Sequence, residues 1–458
     1  MTQTTQAGPL VERGAERTYQ LDRRHVFHSW SAQGALDPMV LDRAQGSHVW
    51  DGAGRRYLDF SSQLVYTNVG HQHPKVIEAI CREAKHLATV APPYANRARS
   101  EAAHLIAQRT PGDLNRVFFT NGGADANEHA VRMARQVTGR NKVMAGYRSY
   151  HGGTTTAVNM TGDPRRWAND LGVAGVVHFH TPFLYRSVFY AQSEQEECER
   201  ALEHLRTTVE LEGPDTIAAI VLESVPGTAG VMVPPAGYMA GVRDLCNHYG
   251  IVMITDEVMT GFGRTGAWFA IGAMDVVPDL LTFAKGVNSG AVPLGGVAIS
   301  DRIADFFSAR PYPGGLTYSG HPLATAAAVA TINVLQDEGV IEHAHRLGEE
   351  LFGPCLSTIA DRHPSVGEVR GIGAMWVLDL VSDPAARTPL APLGGTSEAM
   401  AALGQALKAG GMLPLINSNR LYVMPPCNIS EEDAHRGLDI IDRTLEVADA
   451  HVVGAEQP

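Results

Sequence analysis

Two short apolar runs constrain this chain most, residues 251–255 (Ile-Val-Met-Ile-Thr) and 280–283 (Leu-Leu-Thr-Phe). Each reads as a fully buried strand, and charge follows each closely, Asp256 after the first and Lys285 after the second. A third run, 216–222, ends in Glu223 in the same way. Strand patterns alternate here with helical ones, which predicts an α/β fold around a mostly parallel sheet. In such a sheet the carboxyl ends of the strands form the ligand crevice, so two acids and an amine delivered there face one bound molecule. A charge at the end of a buried strand needs a partner or a role.

Composition narrows what that molecule is. With 458 residues, 44% hydrophobic and 19% charged, the chain can bury a large core in about two or three domains. Its formal charge of -12 argues against wrapping nucleic acid or lying on anionic lipid, both of which call for basic patches. A small molecule is the expected partner. Five cysteines show no C-x-x-C spacing, and His71-Gln-His73 lacks a third ligand nearby, so neither a disulfide framework nor a metal site is expected. The first residues are polar, and no segment reaches the ~20 apolar residues of a membrane helix. These features predict a cytoplasmic protein.

Along the chain, residues 1–20 read as a loose arm and 49–60 as a hairpin, followed by a loop and a helix over 75–88. Residues 117–134 give a strand, a tight turn at Gly122-Gly123-Ala124, and a helix whose free N–H groups suit phosphate. After a strand at 142–145 comes Tyr150-His151-Gly152; Tyr150 suits either stacking on a flat heterocycle or a place in the core. Residues 161–200 are irregular, His178 and His180 read as strand surface, and the acidic run 193–197 reads as a solvated helix start. A glycine-rich loop around Thr317 precedes a helix at 323–335. It suits a second edge of the anion site, supplied by a neighbouring subunit, or a flexible connector. The C-terminal part alternates a helix (341–360), a strand (369–380), a helix (398–408), a strand (420–423) and a helix capped by Ser430 with Asp433. The expected divisions are 1–70, an arm and part of a small domain; 71–336, a large domain; and 337–458, the rest of the small domain.

A phosphate cradle, a stacking aromatic, a strand-end acid and a strand-end lysine together fit pyridoxal 5′-phosphate. Its aldehyde needs a lysine with which to form a Schiff base, and its pyridine nitrogen needs an acid such as Asp256, so that the ring can accept electrons. Lys285, once freed, becomes the base that moves the substrate proton. The runs Thr255-Asp256-Glu257-Val258, Gly261-Phe-Gly-Arg264-Thr-Gly266 and Lys285-Gly286 also resemble the signature of the class III pyridoxal phosphate aminotransferases. Asn121 to Glu128, Tyr150-His151-Gly152, Glu223 and Thr317 to Pro322 extend that resemblance over nearly the whole chain.

The resemblance implies a fold type I architecture and a homodimer, or a tetramer built from it, with shared active sites. Gly122, Gly123 and Ala124 would hold the phosphate together with Thr317 of the partner subunit. Tyr150 and Val258 would cover the two ring faces, with His151 and Gly152 beside them, and Glu223 would orient the site. The stretches around Trp30 and Leu64 look most like omega-aminotransferases acting on taurine, omega-amino acids or primary amines, with pyruvate or 2-oxoglutarate as acceptor. Two positions depart from that pattern: Val65 stands where many such enzymes carry tryptophan, and Leu415 where many carry a mobile arginine. Arg420 is the nearest substitute for binding a substrate acid, since its fork of donors suits carboxylate or sulfonate, and a surface salt bridge is its other reading. Trp30, Leu64 and Tyr94 complete the expected substrate residues. A decarboxylase or aminomutase of the same fold, and an inactive cofactor-binding protein, are the alternatives.

Overall fold

The computed structural model describes residues 9–170, 172 and 175–454. The chain opens with a helix, Pro9–His25, where a loose arm was expected; residues 1–8 lie outside the described residues. Proline stands at its first position and Arg, Glu and Leu recur along it, so propensity supports a helix. Strands β1 (Leu41–Gln45), β2 (His48–Asp51) and β3 (Arg56–Asp59) follow as an antiparallel meander that includes the predicted hairpin.

The central sheet comprises β4 (Arg116–Thr120), β5 (Lys142–Gly146), β6 (Val176–Phe179), β7 (Ile217–Glu223), β8 (Val252–Asp256), β9 (Leu280–Phe283) and β10 (Gly295–Ile299). Its order is β4-β10-β9-β8-β7-β5-β6, and β10 alone runs antiparallel, between β9 and β4. Every residue of β7, β8, β9 and β10 is buried, as their unbroken apolar runs require when helices cover both faces. On one face the helix Gly123–Thr138 packs Ala126, Ala130 and Ala134 against Val221, Ile254 and Val297. On the other face Phe119, Ile220, Met253 and Leu281 join Leu105, Val242 and Ile332 from surrounding helices.

A second sheet holds β11 (Val366–Ile372), β12 (Met375–Asp383), the short β13 (Thr388–Pro389), β15 (Leu415–Asn417) and β16 (Arg420–Val423). The two-residue β14 (Met412–Leu413) instead pairs in parallel with β3, carrying the C-terminal part of the chain into the N-terminal sheet. Leu58 and Phe60 are accordingly buried in one cluster with Leu378, Leu421, Leu438 and Ile441. The predicted helix at 341–360 is present over Val340–Arg362 but contains a π-helical turn at Leu347–Phe352. Pro354, just after it, has no N–H to give back to the preceding turn, which favours a wider turn there. Ser430 caps the last helix, Glu431–Asp449, through the Asp433 N–H at 3.2 Å.

Two surface expectations are corrected. The run 193–197 does start a helix, Glu194–Glu212, capped by Ser193, but Glu197 is fully buried. Its carboxylate accepts the Phe183 N–H at 2.7 Å and the Ser187 hydroxyl, bonds that replace the water it would lose and fix the loop before the helix. His178 is half-buried, stacked on Tyr147 at 5.1 Å, because β6 turns that face inward at the sheet edge; only His180 is exposed.

Arg264 ties the two halves together. It is fully buried, and its Nη1 donates to the Ala374 and Pro425 carbonyls while Nη2 donates to Ser62 Oγ at 3.1 Å and Asn68 Oδ1 at 3.0 Å. No carboxylate pairs with it among the described residues, and burial pushes its guanidinium below the usual arginine value. Replacing it with methionine relieves the desolvated charge but strands several buried acceptors at roughly 1–3 kcal/mol each. The expected net loss for Arg264→Met is about 3 kcal/mol of unfolding free energy, read from the urea midpoint. A loss below about 0.5 kcal/mol, the scale of an ordinary surface change, would remove it from this role.

Candidate active site

β7 and β8 pair with Glu223 directly opposite Asp256, and Asp256 is opposite Thr282 of β9, so both acids emerge at the same sheet edge as Lys285. There they line a cavity of about 450 Å³, a size suited to a cofactor and a small substrate. The cavity also brings together Gly122, Gly123, Ala124, Tyr150, His151, Gly152 and Val258, all expected from the sequence.

The helix Gly123–Thr138 starts at this cavity without a side-chain cap at Gly122, leaving the first N–H groups with no intrahelical partner. Sixteen residues of helix dipole favour an anion there. Gly123 is required by packing, since a Cβ on it would lie 2.8 Å from the Val258 side chain. Gly152 is required twice over: its φ is +131°, and a Cβ would lie 2.4 Å from that of Ala124. The Tyr150 loop therefore presses directly on the helix start.

Asp256 is 3% exposed and fully engaged on one side. Its Oδ2 lies 2.7 Å from Asn127 Nδ2 and 2.8 Å from His151 Nδ1, while Oδ1 accepts the Val258 N–H at 3.0 Å. Burial opposes a charge on His151, yet the hydrogen bond to Asp256, with the Asp256 and Glu223 charges, holds its imidazole above the usual value. Its Nε2 is buried with no partner among the described residues. Glu223, also buried, accepts the Tyr150 N–H at 2.9 Å and the Gly227 N–H at 2.9 Å. Burial raises its carboxyl above the usual range despite the His151 charge.

Lys285 has a left-handed φ of +46°, and its Nζ makes no hydrogen bond or ion pair among the described residues. Burial lowers its amine below the usual lysine value, although Asp256 and Glu223 pull the other way. An amine of lowered proton affinity is a better nucleophile and a better base. Uncapped N–H groups at one end, an acid held at the other, and an unpaired amine between two carboxylates fit the phosphate, ring nitrogen and aldehyde of pyridoxal 5′-phosphate.

Other expected residues fall elsewhere. Trp30, Leu64 and Tyr94 are exposed (67, 49 and 67%) and lie outside the cavity of this single chain, as does the exposed Thr317. Arg420 forms no surface salt bridge: it is buried, with Nη1 on the Ala229 carbonyl and Nε on that of Asn417 at 3.3 Å. Sequence reasoning passed over Asn127, one helical turn past Gly123 and so on the cavity side of that helix. It also passed over Arg165, whose guanidinium lies 3.6 Å over the Tyr150 ring, from a segment with no periodic signal.

The model of the family "Aminotransferase class-III" matches residues 30–445. The chain is 34% identical over 421 residues to a 4-aminobutyrate aminotransferase of Escherichia coli, covering 91% of this chain and 95% of the relative. It is 31% identical over 445 residues to the taurine–pyruvate aminotransferase of Rhodobacter capsulatus, covering 93% and 95%. Among solved structures, a taurine:2-oxoglutarate aminotransferase from Bifidobacterium kashiwanohense, in complex with pyridoxal phosphate and glutamate, superposes with a TM-score of 0.93 at 41% identity, covering 96% of this chain and 99% of that one. The fold type I expectation is met by that superposition. The chain therefore belongs to the class-III aminotransferases, enzymes that carry amino groups on pyridoxal 5′-phosphate.

Proposed function

We propose that the enzyme moves the amino group of an omega-amino acid, taurine or a primary amine to pyruvate or 2-oxoglutarate. The observation that carries the reaction is the half-buried Lys285 amine, unpaired among the described residues, beside Asp256 and Glu223 at one sheet edge. The donor class is supported by the acids that the similar aminotransferases are named for, taurine and 4-aminobutyrate.

The cofactor, when bound, supplies an electron sink for the carbon that carries the amine. The N–H groups of Gly123 and Ala124, with Gly122 ahead of them, would hold its phosphate, together with Thr317 of the partner subunit. Tyr150 and Val258 would confine the ring, with His151 and Gly152 behind. Asp256 would hold a proton on the ring nitrogen, and Asn127 and His151 keep its carboxylate pointed there. Lys285 Nζ would attach the cofactor and then carry the substrate proton, for which its lowered proton affinity suits it. Glu223 sets the Tyr150 loop and the 227–231 turn, the two walls on which a substrate would rest.

The exposure of Thr317, Trp30 and Tyr94 supports a homodimer with shared active sites, in which a second copy covers them. Arg420, beneath the 227–231 turn, would draw the substrate acid. A working division of residues 1–70 and 337–458 against 71–336 accords with the pairing of β3 and β14. No helix among the described residues is long and apolar enough to cross a membrane, and we place the enzyme in the cytoplasm.

The test is a donor panel of taurine, β-alanine, 4-aminobutyrate, an aryl amine and an α-amino acid against pyruvate and 2-oxoglutarate, with product amino acid measured. Turnover of taurine or an omega-amino acid is expected. Reaction with the α-amino acid alone would overturn the donor class.

A further inference from the structure

Beyond the end of β5 the chain reverses through Arg148, a non-glycine residue at φ +60°. Such a conformation costs energy and persists where the surroundings impose it. Here it turns the Arg148 guanidinium over the Phe183 ring at 5.1 Å, and Arg370 lies over the same ring at 4.9 Å. The buried Glu197 holds Phe183 by its N–H. Arg370 and Arg420 in turn grip the Gly230 and Ala229 carbonyls. Gly230 has φ +119°, and a Cβ there would lie 2.5 Å from Arg370 Nη2 and 3.0 Å from Arg420 Cδ. Two residues earlier, Thr228 lines the cavity that holds Lys285. The arginines thus sit immediately behind the cavity wall.

Their charges do not balance. Asp379 takes Arg186 at 2.9 Å and Arg370 at 3.1 Å, and Glu368 takes Arg370 as well. Arg148 has no hydrogen bond or ion pair from its side chain among the described residues, and Arg420 is met by carbonyls alone. Burial first, then the neighbouring Arg420 and Arg186 charges, push the Arg148 guanidinium below the usual arginine value. One half-buried cation, Arg148, and one buried cation, Arg420, are left without an anion among the described residues, an arrangement that costs energy and is relieved by an incoming acid.

We infer that Arg148, together with Arg420, receives the remote acid group of an anionic substrate, a carboxylate or sulfonate, so that the enzyme selects substrates charged at the end distant from the reacting carbon. This rests on the aminotransferase reading and adds a specificity residue to it. Arg420 is tied to the turn, and Arg148 supplies the free fork.

The test uses the cofactor-loaded enzyme and calorimetry with glutarate, a dianion, against pentanoate, a monoanion of equal length. Wild type is expected to bind glutarate at least tenfold more tightly, and Arg148→Met to erase most of that difference. In parallel, the kcat/KM ratio of 2-oxoglutarate over pyruvate should fall at least tenfold in the variant. Taurine against propylamine, treated the same way, shows whether the donor's sulfonate uses the same cations. Equal binding of the two acids by wild type, or full discrimination retained in Arg148→Met for both acceptor and donor, overturns the inference. Should that variant not fold, Arg148→Gln serves, and the wild-type comparison still decides. Failure of the aminotransferase reading would look different: a colourless wild type with no turnover of any pair.

Discussion

Lys285→Ala is expected to lose covalent hold of the cofactor and at least about 10⁴-fold of its turnover, while keeping its fold. Lys285 Nζ has no hydrogen bond or ion pair to forfeit among the described residues, so truncation removes chemistry and leaves the packing of Gly286, Val287 and Asn288 in place. A partly desolvated amine with no partner is also a drain on stability, and its removal should leave the unfolding midpoint unchanged or slightly raised. Borohydride treatment followed by intact mass gives the clearest reading: wild type gains the mass of the reduced cofactor and the variant does not. Phosphate, ring stacking and Asp256 remain, so the variant should still bind the cofactor reversibly and stay yellow. A variant turning over within tenfold of wild type would show that another group is the base. Lys142 is the wrong candidate, being held by Glu212 at the far end of β5.

How much of this could be read from residues alone depends on how local the signal is. β7, β8 and β9 were legible because burial on both faces permits no charged residue until the strand ends, and there a charge stands out. The turn before the helix Gly123–Thr138 was legible for the same reason, two glycines between an apolar run and a helical period. The helix Pro9–His25 was missed because polar and charged residues outnumber the apolar ones along it. Glu197 was misread because the Phe183 N–H that it accepts lies in a separate loop. Pairing of β3 with β14 spans most of the chain, and two-residue strands carry no period.

The site divides along the same line. Asp256, Glu223 and Lys285 are delivered by consecutive neighbours in one sheet, so their meeting follows from strand order. Arg148, Arg165 and Arg420 come up behind residues of the cavity wall from loops and a second sheet, and nothing in their local sequence sets their direction. Trp30, Tyr94 and Thr317 are exposed on the single chain, away from the cavity that the strand ends form.

Asp256→Asn should reduce kcat on the order of 10³-fold and weaken the fold by about 1–3 kcal/mol. The wild-type carboxylate accepts from three donors, Asn127 Nδ2, His151 Nδ1 and the Val258 N–H. An amide offers one accepting oxygen and one donating nitrogen, so either orientation sets an NH₂ against a donor in a buried site. Turned with oxygen toward Asn127 and His151, it confronts Val258; turned the other way, it confronts both side chains. The charge that would face the ring nitrogen is lost in each case, and with it the hydrogen bond and charge that raise the His151 imidazole against the opposing effect of burial. Two readouts separate the effects. If kcat falls while cofactor affinity and the unfolding midpoint hold, the missing charge is the cause. If affinity and midpoint fall by as much as kcat, Asp256 is chiefly a structural tie. An Asp256→Asn enzyme with kcat within about fivefold of wild type would show that the electron sink works without that carboxylate. The acid would then have to be sought in Glu223, which burial holds above the usual range and which is already committed to the Tyr150 and Gly227 N–H groups.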